Sequence, residues 1–187
     1  MQQQVTLSKI NHANRKLLAN LAALSHKAAQ QHSPSWLQSV DAALREIRRT
    51  SEDGVLTSVA LAHGRPKGWI AARQRGQLSW EIHPLLVEPA VSGQGYGKIL
   101  VLDIERKIRS HGGTSVFLST SDATNSTNLR DFDLYADPLR AIRNIAVRDT
   151  VRGHAYQFWQ RVGFTVVGVI PDAEGPGVPS IHLAKKL

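Results

Sequence analysis

The sequence predicts a mixed α/β fold of the α+β type, a mostly antiparallel sheet with one strand–loop–helix–strand crossover at its centre. Three observations lead there. Two segments of helical periodicity fill the first fifty residues. Short strand-like runs separated by turn residues follow, as in an antiparallel meander. Then a glycine-rich stretch, Ser92-Gly93-Gln94-Gly95-Tyr96-Gly97, passes directly from a long strand into an amphipathic helix. The 187 residues are 42% hydrophobic and 20% charged, the balance of a folded globular protein. That length fits a single domain spanning residues 1–187.

Each element has its own signal. Ile10, Leu17, Leu18, Leu21 and Leu24 share one face at helical spacing. Ser33-Pro34 reads as an N-cap followed by proline at the first helical position, and Trp36, Leu37, Val40, Leu44 and Ile47 then repeat helically. Residues 55–61 read as a strand, 63–68 as a turn, 69–73 as a second strand, and 78–87 as a long strand with alternating polar residues. Leu100, Val101, Ile104 and Ile108 form the inward face of the next helix, with Asp103/Lys107 and Glu105/Arg109 pairs on its exterior. Residues 114–120 read as a strand and 138–147 as helical. A last helix carries Tyr156, Phe158, Trp159 and Val162 and ends at Gly163, before strands at 165–170 and 181–184.

Composition narrows the function. The net charge is +8, but its basic excess is spread over the expected helix surfaces of the first fifty residues, without interleaved aromatics, so no nucleic-acid partner is expected. Asp122, Asp131, Asp133 and Asp137 form a local acidic segment against this background. The absence of cysteine excludes a disulfide framework, a thiolate metal site and a cysteine nucleophile, and no metal is expected. No apolar run approaches the ~20 residues of a membrane span, and the start Met1-Gln2-Gln3-Gln4 is no signal peptide. The expectation is a cytoplasmic protein with no membrane partner.

Strand, glycine-rich loop and helix together suit a phosphate, because backbone N–H groups converge on the anion and the helix N-terminus adds partial positive charge. Ile99 follows Lys98 where a Walker motif needs Ser or Thr, and no third glycine completes a dinucleotide fingerprint. On spacing alone, a plain strand-to-helix turn remains the alternative.

Residues 85–87, then Gly95-x-Gly97, then Gly163-Phe164 closing a later helix, resemble the acetyl-CoA-binding core of the GNAT superfamily of N-acetyltransferases. That family's pyrophosphate loop reads R/Q-x-x-G-x-G/A, and Ser92 departs from it at the first position. From Trp80 onward the resemblance narrows to one subgroup of aminoglycoside 6′-N-acetyltransferases. It rests on residues 80–88 (WEIHPLLVE), His111-Gly112-Gly113, Asp133-Leu134-Tyr135, Arg152-x-His154-x-Tyr156-x-Phe158, residues 167–173 (VGVIPDA) and Ala184-Lys185, in the same order. Residues 1–75 match only in their order of elements.

The resemblance implies a GNAT fold with a splayed parallel strand pair at the crossover. It implies direct acetyl transfer from acetyl-CoA to a primary amine of an aminoglycoside, a small polycation; another small amine, a polyamine or a peptide amine is the alternative acceptor. Cofactor contacts fall to Leu85, Leu86 and Val87 along the strand, to Ser92, Gly93, Gln94, Gly95, Tyr96, Gly97 and Lys98 at the loop, and to Trp159. Leu85 N–H is the expected oxyanion donor. Glu81 is the acceptor-side base, and the residue reading agrees, since a carboxylate between Trp80 and Ile82 is costly without a partner. His83, two residues on, shares its face and relays the proton or orients the amine, with a structural acid–histidine pair as the alternative. The family's donor tyrosine is replaced by Trp159, whose indole cannot deliver a proton, so Tyr156 one turn earlier is the candidate acid and solvent the alternative. Trp36, Asp122 and Asp133 join Glu81 as acceptor-binding candidates. A homodimer is expected because similar enzymes are often dimers.

Overall fold

The computed structural model describes residues 5–32, 36–148 and 153–187. It divides into two compact units, Met1–Val116 with Leu187, and Phe117–Lys186. In the first, β1 (Val5–Ser8), β2 (Val55–Ala62), β3 (Arg65–Gln74) and β4 (Ser79–Val87) form an antiparallel sheet in that order. Helices α1 (Arg15–His32), α2 (Val40–Arg49) and α3 (Tyr96–Ser110) complete it. The second contains most of β5 (Ser115–Ser121), then α4 (Pro138–Arg143), α5 (Ala155–Arg161), β6 (Thr165–Ile170) and β7 (Ser180–Lys186), with β7 lying between β5 and β6 and antiparallel to β6. Among the described residues no helix is long and apolar enough to cross a membrane.

Where boundaries differ from the periodicity, local chemistry explains them. Helix α2 starts at Val40, because the Ser39 side chain caps it by accepting the Ala42 N–H at 3.1 Å. Trp36 and Leu37 therefore precede the helix, and the expected cap Ser33-Pro34 lies outside the described residues. Ile10 likewise precedes α1; it is buried in the same core, and its N–H donates to Thr57 Oγ1 at 3.1 Å. The β2–β3 turn shrinks to His63 and Gly64, with φ of +50° and +69°. Pro66 consequently lies inside β3, beside a one-residue bulge at Lys67. Helix α4 stops at Arg143, short of the expected residue 147.

The core of the first unit joins Leu18, Leu21 and Ala29 of α1 and Ile47 of α2 to Val59, Trp69, Ala71 and Leu86 of the sheet. The buried Trp69 indole N–H donates to Ser25 Oγ at 2.8 Å, so its polar atom costs nothing in burial. Helix α3 packs on β2 and β3 through Leu100, Val101, Ile104 and Ile108, the expected face. It approaches closely because Gly68 has no side chain: a Cβ there would stand 3.1 Å from Leu100.

That close approach corrects the reading of Asp103 and Glu105 as exterior, for they are only 7% and 1% exposed. Asp103 accepts from Ser58 of β2 at 2.5 Å, from Arg106 at 2.6 Å and from Lys107 at 2.8 Å. Lys107 Nζ also reaches the Thr57 carbonyl at 2.8 Å. Burial alone would raise the Asp103 pKa, but hydrogen bonds from Lys107, Ser58 and Arg106 outweigh it and hold the value at about 2.

Strand β4 contains the feature that positions the site. Ile70 pairs with Leu85 and Ala72 with Ile82, so His83 and Pro84 together oppose the single residue Ala71. Trp69 and Ala71 face α1 and α2; Arg73 shares that face, and so does its partner Glu81. Past the bulge Leu86, opposite Trp69, takes over that face, while Leu85 turns to the other one.

Because Asp103 titrates lower in the folded chain than the ~3.9 of an unfolded aspartate, its contribution is complete above that value and disappears as pH falls through about 2. Urea unfolding at a series of pH values should show Asp103→Asn lacking about 2 kcal/mol of the wild-type loss over that interval.

Candidate active site

Glu81 and His83 open into a cavity of about 340 Å³ in the first unit, whose walls include Trp36, Glu46, Arg49, Arg73 and Arg75. Three elements build it. The bulged strand β4 supplies Glu81 and His83; α2, held to the core by Ala43 and Ile47, supplies Glu46 and Arg49; and the β3–β4 turn supplies Arg75. The partner that a half-buried carboxylate requires is Arg75, whose Nε donates to Glu81 Oε2 at 2.6 Å. His83 does not pair with Glu81. Its ring lies 5.3 Å from that of Trp36, and its Nε2 is 3.7 Å from Glu46 Oε1, while Glu46 Oε2 accepts from Arg49 at 3.0 Å. Of the sequence candidates, the structure therefore gathers Trp36, Glu81 and His83 at one cavity.

Glu46, Arg73 and Arg75 complete this cavity and were not legible as site residues. Glu46 adjoins the inward Ile47 on α2, which is the one pattern that singles it out. Arg73 and Arg75 flank a turn and give no such signal.

Between β4 and α3 the chain makes a 3-10 turn over Pro89–Val91 and then two left-handed glycines, Gly93 at φ +78° and Gly95 at φ +88°. Gly95 is the N-cap of α3 and supplies no side-chain hydrogen bond, and the first turn contains no acidic residue. The backbone donors of that turn are thus presented at a positive helix end without a capping side chain. A Cβ at Gly93 or Gly95 would meet nothing within 4 Å, so open space lies beside both. Ser92, Gln94 and Lys98 are exposed. The Tyr96 ring is buried and anchors the helix, and the Leu86 side chain is in the core, so only their backbones suit the cofactor contacts expected of them.

In the second unit Tyr156 is buried, and burial raises its pKa above the ordinary phenol value, which keeps the hydroxyl protonated at neutral pH. Trp159 packs edge-on against Phe164 and Phe158, at 5.1 Å in each case. His154 caps α5: Nδ1 accepts the Tyr156 N–H at 3.1 Å, which leaves the proton on Nε2 to donate to the Ser121 carbonyl at 3.0 Å.

The two aspartates separate. Asp122 is fully buried and accepts from Ser126 N–H at 2.7 Å, Thr127 N–H at 3.3 Å and Thr127 Oγ1 at 2.6 Å. It orders the loop after β5; contact with a cationic substrate, as expected from the sequence, is excluded by burial. Asp133 is exposed, with Oδ1 accepting from Tyr135 and Ala136 N–H in an Asx turn.

No curated protein matches the sequence. Among solved structures the chain is similar to an aminoglycoside 6′-N-acetyltransferase complexed with coenzyme A, at 28% identity and a TM-score of 0.85, covering 97% of this chain and 96% of that one. It is similar to the aminoglycoside 6′-N-acetyltransferase from Enterococcus faecium at 28% identity and a TM-score of 0.83, with the same 97% and 96% coverage. An aminoglycoside 6′-acetyltransferase type Ii follows at 25% identity and a TM-score of 0.69, again covering 97% and 96%. The family model described as Acetyltransferase (GNAT) family matches residues 21–139, which hold the cavity, the bulged strand, the glycine loop and α3. The chain belongs to the GNAT family of acetyltransferases.

Proposed function

We propose that the protein transfers the acetyl group of acetyl-CoA to the primary amine of a small acceptor held against Glu81. The observation that carries this reading is the placement of Glu81 and His83 at one cavity, on the strand that runs into a glycine loop fit for a diphosphate. The 6′-amine of an aminoglycoside is the acceptor supported by the full-length likeness to aminoglycoside 6′-N-acetyltransferases. A second acceptor class, another small amine, is favoured by the arginines of the cavity. Both units are read as one catalytic domain, because the family match runs from 21 to 139 across the boundary after Val116.

Acetyl-CoA supplies a thioester acyl group and leaves a thiolate that needs a proton. The rest falls to the chain. The glycine loop and the first turn of α3 hold the diphosphate through backbone N–H groups, and Lys98 adds charge. Leu85 N–H is the donor for the developing oxyanion. Glu81 takes the ammonium proton of the acceptor, exchanging Arg75 for the incoming amine. His83 and Trp36 orient the acceptor at the same wall. Tyr156, kept neutral by burial, is the proton donor to sulfur, and Trp159, packed on Phe158 and Phe164, holds α5 in place.

The reading is tested by CoA release with purified protein and a panel of aminoglycosides, polyamines and short peptides, including an aminoglycoside with a hydroxyl in place of the 6′-amine. Turnover that vanishes with the hydroxyl analogue supports the aminoglycoside class; turnover confined to other amines removes it. Glu81→Gln should lower kcat by about 10²- to 10³-fold while calorimetric CoA affinity stays within error. Gly95→Val puts a branched side chain at positive φ and into the open space at the loop, and CoA affinity should fall by about tenfold or more. Tyr156→Phe should lower kcat and flatten the alkaline limb of its pH profile; an unchanged profile assigns the proton to solvent.

A further inference from the structure

The guanidinium groups crowded around Glu81 do not suit a polycation. Three guanidinium groups, Arg49, Arg73 and Arg75, line the cavity against two carboxylates, Glu46 and Glu81. Among the lining residues three positive charges stand against two negative ones, with His83 neutral, and Glu52, which pairs with Arg73 from outside the lining, brings the local sum to zero. Each arginine spends one nitrogen on a neighbour: Arg49 on Glu46 at 3.0 Å, Arg73 on Glu52 at 2.7 Å and Arg75 on Glu81 at 2.6 Å. A guanidinium has five N–H donors in a planar fork, so each keeps donors for a further anion. Arg73 stands directly opposite Glu81 in the strand register, and Arg75 follows two residues later in the turn after β3. One carboxylate is thus bracketed by two guanidinium groups, both partly solvent-accessible at 35% and 53%.

The geometry points to an acceptor that carries an anionic group, a carboxylate or a phosphate, a few ångströms from the amine it presents to Glu81, with Arg73 and Arg75 holding that anion. This rests on the acetyl-transfer reading above. Binding is then an exchange of partners. The acceptor ammonium replaces the Arg75 Nε on Glu81, and the acceptor anion takes the guanidinium that is released. One internal ion pair becomes two intermolecular ones, and no charge is left without a partner. A polycation completes only the first half of this exchange. It strands Arg75 and sets its remaining ammonium groups beside Arg49 and Arg73, a like-charge arrangement that selects against it.

The test compares matched three-carbon amines by CoA release: propanolamine as the neutral acceptor, diaminopropane as the cation, β-alanine as the carboxylate and aminopropylphosphonate as the phosphate equivalent, with kanamycin alongside. The expected result is a kcat/KM for one of the two anionic amines at least about tenfold above the neutral and dicationic ones, and the carboxylate and phosphonate arms separate the two sources. Arg73→Gln and Arg75→Gln should each reduce the ratio of anionic to neutral kcat/KM by about tenfold, a ratio that a general loss of folded protein leaves unmoved. Preference for diaminopropane or kanamycin, or an equal rate with all four small amines, overturns the anionic acceptor while leaving acetyl transfer intact. Failure of every acceptor, kanamycin included, to raise CoA release above the acceptor-free rate overturns the acetyl-transfer reading itself.

Discussion

Two residues of β4 oppose one of β3, and the acceptor side of the site depends on that extra residue. In an unbroken strand Glu81 and Leu85, four residues apart, would share a face. The bulge separates them: Glu81 looks towards α2, and Leu85 looks away from it. The same strand can therefore offer charged side chains to one compartment and a regular apolar segment to another without burying a carboxylate in the core. Bulges re-aim side chains in this way near functional sites. Without the extra residue, and with Leu85 still opposite Ile70, Glu81 would fall opposite Gln74, on the face that Ile82 now occupies.

The buried aspartates of the two units, Asp103 and Asp122, follow one rule. Asp103 and Asp122 are buried, and each is surrounded by several donors: Ser58 of β2 with Arg106 and Lys107 for the first, the Ser126–Thr127 backbone and Thr127 hydroxyl for the second. Burial of charge is tolerated where several hydrogen bonds replace the lost water. The acids paired with the cavity arginines differ, since Glu46, Glu81 and Glu52 are each matched to one arginine and leave part of that arginine open. Interior acids fix loops and helices, whereas cavity acids keep partners that can be exchanged.

The sheet, the crossover helix and the loop were legible because period and glycine placement are local signals. Leu100, Val101, Ile104 and Ile108 are buried as their spacing requires, and Gly93 and Gly95 take the left-handed φ that a tight loop demands. Glu81 and His83 were legible as a pair on one face of a strand. What escaped depends on tertiary neighbours. An acid at i and a lysine at i+4 look alike on an exposed or a covered helix flank, so Asp103 passed for a surface residue until the absence of a side chain at Gly68 let α3 close on the sheet. Asp122 passed for a substrate contact because its hydrogen-bond partners lie only four and five residues ahead, in a loop without periodicity. The three arginines come from α2, β3 and a turn, and no one-dimensional pattern joins them.

The tie between Ser58 and Asp103 has a consequence for how such a sequence changes over time. Apolar contacts let a helix slide by a fraction of a turn on its sheet, because one methyl group serves as well as the next. A hydroxyl bonded to a buried carboxylate has one position only, so this contact keys α3, and the glycine loop at its head, to β2. Loss of either partner removes one buried hydrogen bond from the other and leaves it to Lys107 and, for Asp103, Arg106, and a lineage that abandons one should soon replace both. Two positions 45 residues apart in the chain are thereby inherited as a unit.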